Sequence, residues 1–304
     1  MQKENFYATI NTIGQNWPNM QKHGKAENMK VKLIADSSSD MFELENVDFT
    51  SVPLNIATDE CAFVDDKNLD VPQMMNYLAH HQGRSYTACP NVDAWCRAYR
   101  GGDEIYVVTI SSNLSGSYGA AVSAAQIYKE ENPDAKIHVF DSLSAGPEVR
   151  MLVKKIACLK QAGKSFEEIC LLGEEYKKNT RIFFSLQSFH NFAMNGRVSK
   201  AVAKIGGMLG IRIMATGSET GTIEIVDKCR GEKSNLKKFM ENLEKAGYTG
   251  GNVSLAHCQN LAFAQLLANE IRSTYPAASI EIYETRGLCS YYAEAGGILL
   301  GFEC

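Results

Sequence analysis

Three short apolar runs, at residues 31–35, 105–110 and 137–140, each end in a loop of aspartate and serine, with longer segments of helical pattern between them. Short apolar strands that alternate with helices are the signature of a parallel α/β sheet. In open sheets of this kind a ligand sits beyond the carboxyl ends of the strands. That is where the three loops fall: Asp36-Ser37-Ser38-Ser39, Ser111-Ser112-Asn113-Leu114-Ser115-Gly116-Ser117-Tyr118, and Asp141-Ser142-Leu143-Ser144.

The middle loop carries the most chemistry. It runs from an apolar strand through four serines and one glycine into Ala120-Ala121-Val122-Ser123-Ala124-Ala125, which reads as a helix. The first N–H groups of a helix lack partners and the dipole is positive there, so an anion is favoured; Gly116 lets the backbone approach closely. Ser115 is therefore a candidate anion ligand from the residues alone. No base accompanies it in a recognisable motif, so binding is expected ahead of catalysis. Asp36, Ser39, Asp141 and Ser144 read as helix N-caps or structural supports ahead of ligand contacts, because Asp and Ser are preferred caps.

At 304 residues the chain suits two domains of roughly 150 residues each, and 45% hydrophobic content supplies their cores. A formal net charge of −4 speaks against a nucleic-acid partner. No apolar run approaches the roughly 18 residues needed to span a bilayer. The nine cysteines form no C-x-x-C pair, and the His, Cys and acidic residues show no metal-ligand spacing, so no metal and no cofactor are expected. Cysteines without a framework point to reduced thiols and a cytoplasmic location. Residues 1–28 are polar and aperiodic, and Met29 precedes a strand directly, so 1–28 are expected to be an extension outside the fold.

The second half has a different pattern. Residues 181–186 read as a strand, 187–195 as a short helix closed by Gly196, and 198–209 as another helix. Residues 211–216 and 222–230 read as a hairpin around Ser218-Glu219-Thr220-Gly221. Segments 235–246 and 261–274 read as amphipathic helices, and 253–256, 279–283 and 298–302 as strands. The expected fold is thus α/β in two domains: an N-terminal three-layer parallel-sheet domain at 29–178 and a C-terminal α+β domain with a mixed sheet at 179–304. The ligand is expected between them.

Several stretches, in order, resemble the DegV family of bacterial proteins: the Asp36-Ser37 strand end, Leu114-Ser115-Gly116-Ser117-Tyr118, Asp141-Ser142, Asn195-Gly196-Arg197-Val198, Ile205-Gly206-Gly207-Met208-Leu209-Gly210-Ile211 and Lys228-Cys229-Arg230-Gly231. The resemblance covers nearly everything from Val31 to Phe302. It implies a two-domain protein that holds a long-chain fatty acid between the domains. It further implies the lipid-binding subunit of a fatty acid kinase, presenting the carboxylate to a separate ATP-dependent kinase subunit that forms an acyl phosphate. Such a subunit is not itself an enzyme and touches membranes only transiently. The implied carboxylate ligands are Thr87, in Thr87-Ala88-Cys89-Pro90 where the family has Thr-Ser-Gln-Pro, with Ser112, Ser115 and Gly116. Arg197 and Arg230 match family arginines implied to meet the kinase or phosphate.

One departure stands out. Where many family members carry His-Thr-Gly-Pro-Gly, this chain reads Ser290-Tyr291-Tyr292-Ala293-Glu294-Ala295-Gly296-Gly297, without a histidine. Tyr291 or Tyr292 can donate through its hydroxyl but carries no positive charge near neutral pH, and Tyr292 is taken as the candidate. Glu294 would repel a carboxylate if it faced the site, and His257 reads as a structural histidine. Candidates to line the acyl chain are Phe183, Ile205, Met208, Leu209 and Ile211, with Phe192 and Ile213, although residues at these spacings are more often ordinary core. Two alternatives remain open: a serine acyl hydrolase using Ser115 or Ser112, although Leu114-Ser115-Gly116 is not a Gly-x-Ser-x-Gly turn, and a binder of a different acidic amphiphile.

Overall fold

A computed structural model describes residues 29–202 and 210–304. The expected extension at 1–28, most of the expected helix at 198–209, and the candidates Ile205, Met208 and Leu209 lie outside the described residues.

The first half runs through β1 (Val31–Asp36), β2 (Phe49–Val52), β3 (Asn55–Thr58), β4 (Ala62–Val64), α1 (Val71–His80), β5 (Ser85–Ala88) and α2 (Val92–Tyr99). It continues with β6 (Glu104–Thr109), α3 (Ser117–Glu131), β7 (Lys136–Asp141), α4 (Pro147–Gln161) and α5 (Phe166–Lys178). Four of the strands form a parallel sheet in the order β2-β1-β6-β7. Every residue of β6 is buried. This explains its unbroken apolar run, since a central parallel strand is covered on both faces. On one face Ile34, Val107 and Ile105 pack with Trp95, Tyr99 and Ala121; on the other Leu33, Tyr106 and Phe140 pack with Val149, Leu152 and Ile156.

The second half runs through β8 (Thr180–Leu186), α6 (His190–Met194), β9 (Ile211–Gly217), β10 (Ile223–Arg230), α7 (Glu232–Lys245) and β11 (Asn252–His257). It ends with α8 (Leu261–Thr274), β12 (Ser279–Glu284), α9 (Gly287–Ala293) and β13 (Ile298–Glu303). Its six strands order as β10-β9-β8-β13-β11-β12, parallel only between β11 and β12. The sheet pattern read from the sequence is therefore present: a parallel sheet followed by a mixed one. The helix expected at 187–195 is confined to His190–Met194.

Helix α4 lies between the sheets and touches β1 and β6 on one side and β8, β11 and β13 on the other. The approach is close. A Cβ on Gly301 of β13 would come within 2.7 Å of Pro147 Cβ, so this position accepts only glycine while the helix holds its place. A third, three-stranded antiparallel sheet in the order β4-β3-β5 sits beside the parallel one and was not anticipated. Its strands have three or four residues, too short for periodicity to mark.

Candidate functional site

The serine loop is held by two aspartates at neighbouring strand ends. Asp36 closes β1 as a fully buried carboxylate that accepts from Ile110 N (3.0 Å), Ser117 Oγ (2.6 Å) and Ser38 Oγ (2.5 Å). Burial raises its pKa, and the hydrogen bonds from Ser117 and Ser38 oppose that rise. Asp141 Oδ1 accepts from Ser112 N at 3.1 Å and Leu143 N at 3.0 Å. Both aspartates thus support the loop without capping a helix through their side chains, and neither lines the cavity described below.

The loop is also tied to the second half of the chain. Ser111 Oγ donates to Gly221 O at 2.7 Å, and Asn113 Nδ2 donates to Thr220 O at 2.6 Å. Gly221 turns the β9–β10 hairpin at φ +76°, and a Cβ there would lie 2.3 Å from Ser111 Oγ. Conformation and space both demand glycine.

Between the halves lies a cavity of about 310 Å³, within the size range of small-molecule sites. Its walls are largely apolar: Leu54, Ile110 and Leu143 from the first half face Ile182, Phe184 and Leu299 from the second. Thr87, Ser115, Gly116, Arg197 and Tyr292 also line it and bring hydroxyls and a guanidinium to the wall. Thr87 sits on β5 opposite Ile56, so the unanticipated small sheet is what delivers it. Its Oγ1 lies 2.8 Å from Tyr292 OH. Tyr292 stacks on Phe192 with ring centroids 4.5 Å apart. Burial raises the Tyr292 pKa, with the Thr87 hydrogen bond and the Arg197 charge opposing; the phenol stays protonated at neutral pH and can donate. Ser115 Oγ accepts from Ser117 N at 3.3 Å, which leaves its own O–H proton for a ligand.

Arg197 supplies the positive charge. Its Nε donates to Leu114 O at 3.0 Å and its Nη1 to Asn195 O. The guanidinium is thereby fixed against the serine loop and lines the cavity. Glu294 points elsewhere: it accepts from Ser188 Oγ at 2.9 Å, is raised in pKa by burial, and does not line the cavity. His257 is a strand-end residue whose pKa burial lowers, and Asn260 N donates to its Nδ1 at 3.4 Å.

Five sequence candidates among the described residues fall outside the cavity wall, one of them Ile213, which is buried in a cluster with Leu186, Phe189 and Ala215. Ser112 is exposed and engages Asp141 through its backbone. Phe183 faces the opposite side of β8 and stacks on Phe302 at 5.5 Å; the alternation along a strand makes Phe184 and Leu186 the wall residues instead. Ile211 opens β9, at the far end of the strand from Gly217, the residue that does line the cavity. Arg230 is exposed and pairs with Ile211 in the ladder. Sequence reasoning missed Leu54 and Cys89, from the loops after β2 and β5, Leu288 and Cys289 of α9, and Leu299 of β13, which all join the wall. Among the described residues no histidine lines the cavity and no group of His, Cys, Asp and Glu could hold a metal ion. Among them, too, no helix is long and apolar enough to cross a membrane.

A model of the DegV family matches residues 30–302. A DegV domain-containing protein of Streptococcus pneumoniae is 44% identical over 279 residues, covering 90% of this chain and 99% of the relative. Two solved structures share the fold. One is a DegV family protein from Eubacterium eligens loaded with heptadecanoic acid, at TM-score 0.88 and 46% identity over 90% of this chain and 99% of that one. The other is the Streptococcus pneumoniae fatty acid kinase (Fak) B3 protein loaded with linoleic acid, at TM-score 0.89 and 44% identity over the same shares.

Proposed function

The chain belongs to the DegV family, and from that membership we propose that it binds a long-chain fatty acid in the cavity between its halves, as a non-catalytic subunit that presents the carboxylate to a separate ATP-dependent kinase. The relatives loaded with heptadecanoic and linoleic acid support the ligand class, and the Fak B3 relative supports the kinase. The observation that carries the reading is the division of the cavity into a long apolar wall and one polar cluster of hydroxyls and a guanidinium.

The carboxylate lies at Thr87, Ser115 and Tyr292, with the Gly116 backbone beside it. Tyr292 takes the place of the family's histidine as hydrogen-bond donor, and Arg197 takes over its charge. Each buried methylene contributes roughly 0.8 kcal/mol, so a sixteen-carbon chain gains on the order of 10 kcal/mol before entropic costs. One charge-assisted hydrogen bond contributes about 1.5–3 kcal/mol. The acyl chain therefore sets affinity, and the polar cluster sets orientation and the choice of head-group.

Catalysis by Ser115 is disfavoured, because a serine nucleophile needs a base and the described cavity wall offers no histidine. Phosphoryl transfer belongs to the partner, and Arg230, exposed at the end of β10, is assigned to its docking surface. The protein acts in the cytoplasm with its thiols reduced, exchanges lipid with membranes only transiently, and has no nucleic-acid partner and no cofactor.

Calorimetric titration of the delipidated protein with palmitate and with methyl palmitate tests this reading. Tight binding of the acid and at least tenfold weaker binding of the ester are expected. Equal affinities would remove the carboxylate from the polar cluster and favour a different amphiphile.

A further inference from the structure

Of the β9 residues, Gly217 is the one that lines the cavity. Ile213, Ala215 and Gly217 share one face of this strand, since side chains alternate with a period of two, and their size falls to nothing at Gly217. Their partners on β8 follow the register Leu186 with Ile213 and Phe184 with Ala215, which sets Ile182 beside Gly217. Phe184 belongs to the aromatic group that leads to the polar cluster: its ring lies 6.3 Å from Phe192, which stacks on Tyr292. Ile182 and Gly217 are one side-chain step further along the strands, about 7 Å beyond that level.

A Cβ built on Gly217 lies 3.6 Å from Ile182 Cγ2 and 3.8 Å from Leu143 O, ordinary contact distances to two residues that themselves line the cavity. The backbone at Gly217 is not left-handed, so an L side chain is tolerated there. Two neighbouring glycines differ: Gly221 and Gly146 both hold positive φ, and a Cβ on Gly221 meets Ser111 Oγ at 2.3 Å. Neither conformation nor contact at position 217 calls for glycine. What its absent side chain provides is room in the cavity.

We propose that Gly217 is a specificity-determining position, whose missing side chain admits the distal part of a long acyl chain. The inference rests on the fatty-acid reading above and extends it to chain length. A larger residue at 217 fills the wall between Ile182 and Leu143 and rejects chains that reach that level, while shorter chains keep their head-group contacts.

The test is competition binding to delipidated protein of saturated acids of twelve, fourteen, sixteen and eighteen carbons, read by native mass spectrometry, for the unsubstituted protein, G217A and G217V. For G217V the ratio of eighteen- to twelve-carbon occupancy is expected to fall at least tenfold, with twelve-carbon affinity kept within about twofold and a smaller shift of the same sign in G217A. Unchanged ratios in both variants overturn the role of Gly217, as does an equal loss for all four chains in a variant with an unaltered melting temperature. If G217V does not fold, the sign of the G217A shift decides. An unsubstituted protein that binds none of the four acids overturns the fatty-acid reading itself, an outcome distinct from the others.

Discussion

The hydroxyl of Tyr292 lies 2.8 Å from Thr87 Oγ1, although the two residues are 205 positions apart in the chain. One comes from the last helix, the other from a short strand of the small antiparallel sheet, and their contact closes the polar cluster of the cavity. Helix α9 can reach so far because its start is anchored to the first half: Asp65 accepts from Gly287 N at 2.8 Å and Leu288 N at 2.9 Å. Two buried backbone donors that a helix leaves unpaired are thereby satisfied by one carboxylate.

Tyr292→Phe removes the donor and keeps the ring that stacks on Phe192. Fatty-acid binding should weaken by about 1–3 kcal/mol with the fold intact. Titration of the delipidated variant checks this; an unchanged Kd would take Tyr292 out of the head-group site.

Ser115→Ala removes the O–H donor and also the acceptor of Ser117 N. A loss of about 1–3 kcal/mol in binding is expected, with little effect on melting, since Asp36 still anchors Ser117 Oγ and Ile110 N. Lipid occupancy equal to that of the unsubstituted protein would contradict the assignment.

Arg197→Gln separates charge from hydrogen bonding. Affinity for palmitate should fall by tenfold or more, consistent with about 1.5–3 kcal/mol for a charge-assisted contact. Affinity for the uncharged alcohol of the same length should move far less. Equal losses for both would mean that Arg197 acts only by holding the serine loop.

Asp40 gives a pH prediction. It is buried, accepts from Arg286 N at 2.8 Å, and has one carboxylate oxygen without a partner. Burial, with the nearby Asp65 charge adding, raises its pKa to about 7. A carboxyl raised in the folded state holds its proton longer there than in the unfolded chain. Its contribution to stability is therefore full below the ordinary value of 3.8 and is lost as the pH climbs to about 7. Asp40→Asn should raise stability at pH 8 by an amount on the order of a few kcal/mol and have little effect near pH 4. Denaturant unfolding across that range measures the difference; a constant gap between the two proteins would contradict it.

The parallel sheet and the serine loop were legible in the sequence for a physical reason. A central strand buried on both faces must be apolar throughout, and a loop that opens into a helix must offer serine, aspartate or glycine. The same double burial hid the lining. Phe183 and Phe184 are adjacent aromatics on a strand covered on both sides, so no alternation reveals which one faces the cavity. Thr87 was recognisable by resemblance alone, because the sheet that carries it is built from strands too short to leave a pattern. The inward setting of Arg197 depends on the carbonyl of Leu114, 83 positions away, and no local signal encodes that contact.

The central claim is that the cavity holds a fatty acid by its carboxylate. Native mass spectrometry of freshly purified protein, followed by denaturing extraction and identification of what is released, tests it most directly. The account predicts one long-chain carboxylic acid per chain. Protein that carries no lipid and takes none up from added palmitate, or that carries an amphiphile without a carboxylate, would contradict it.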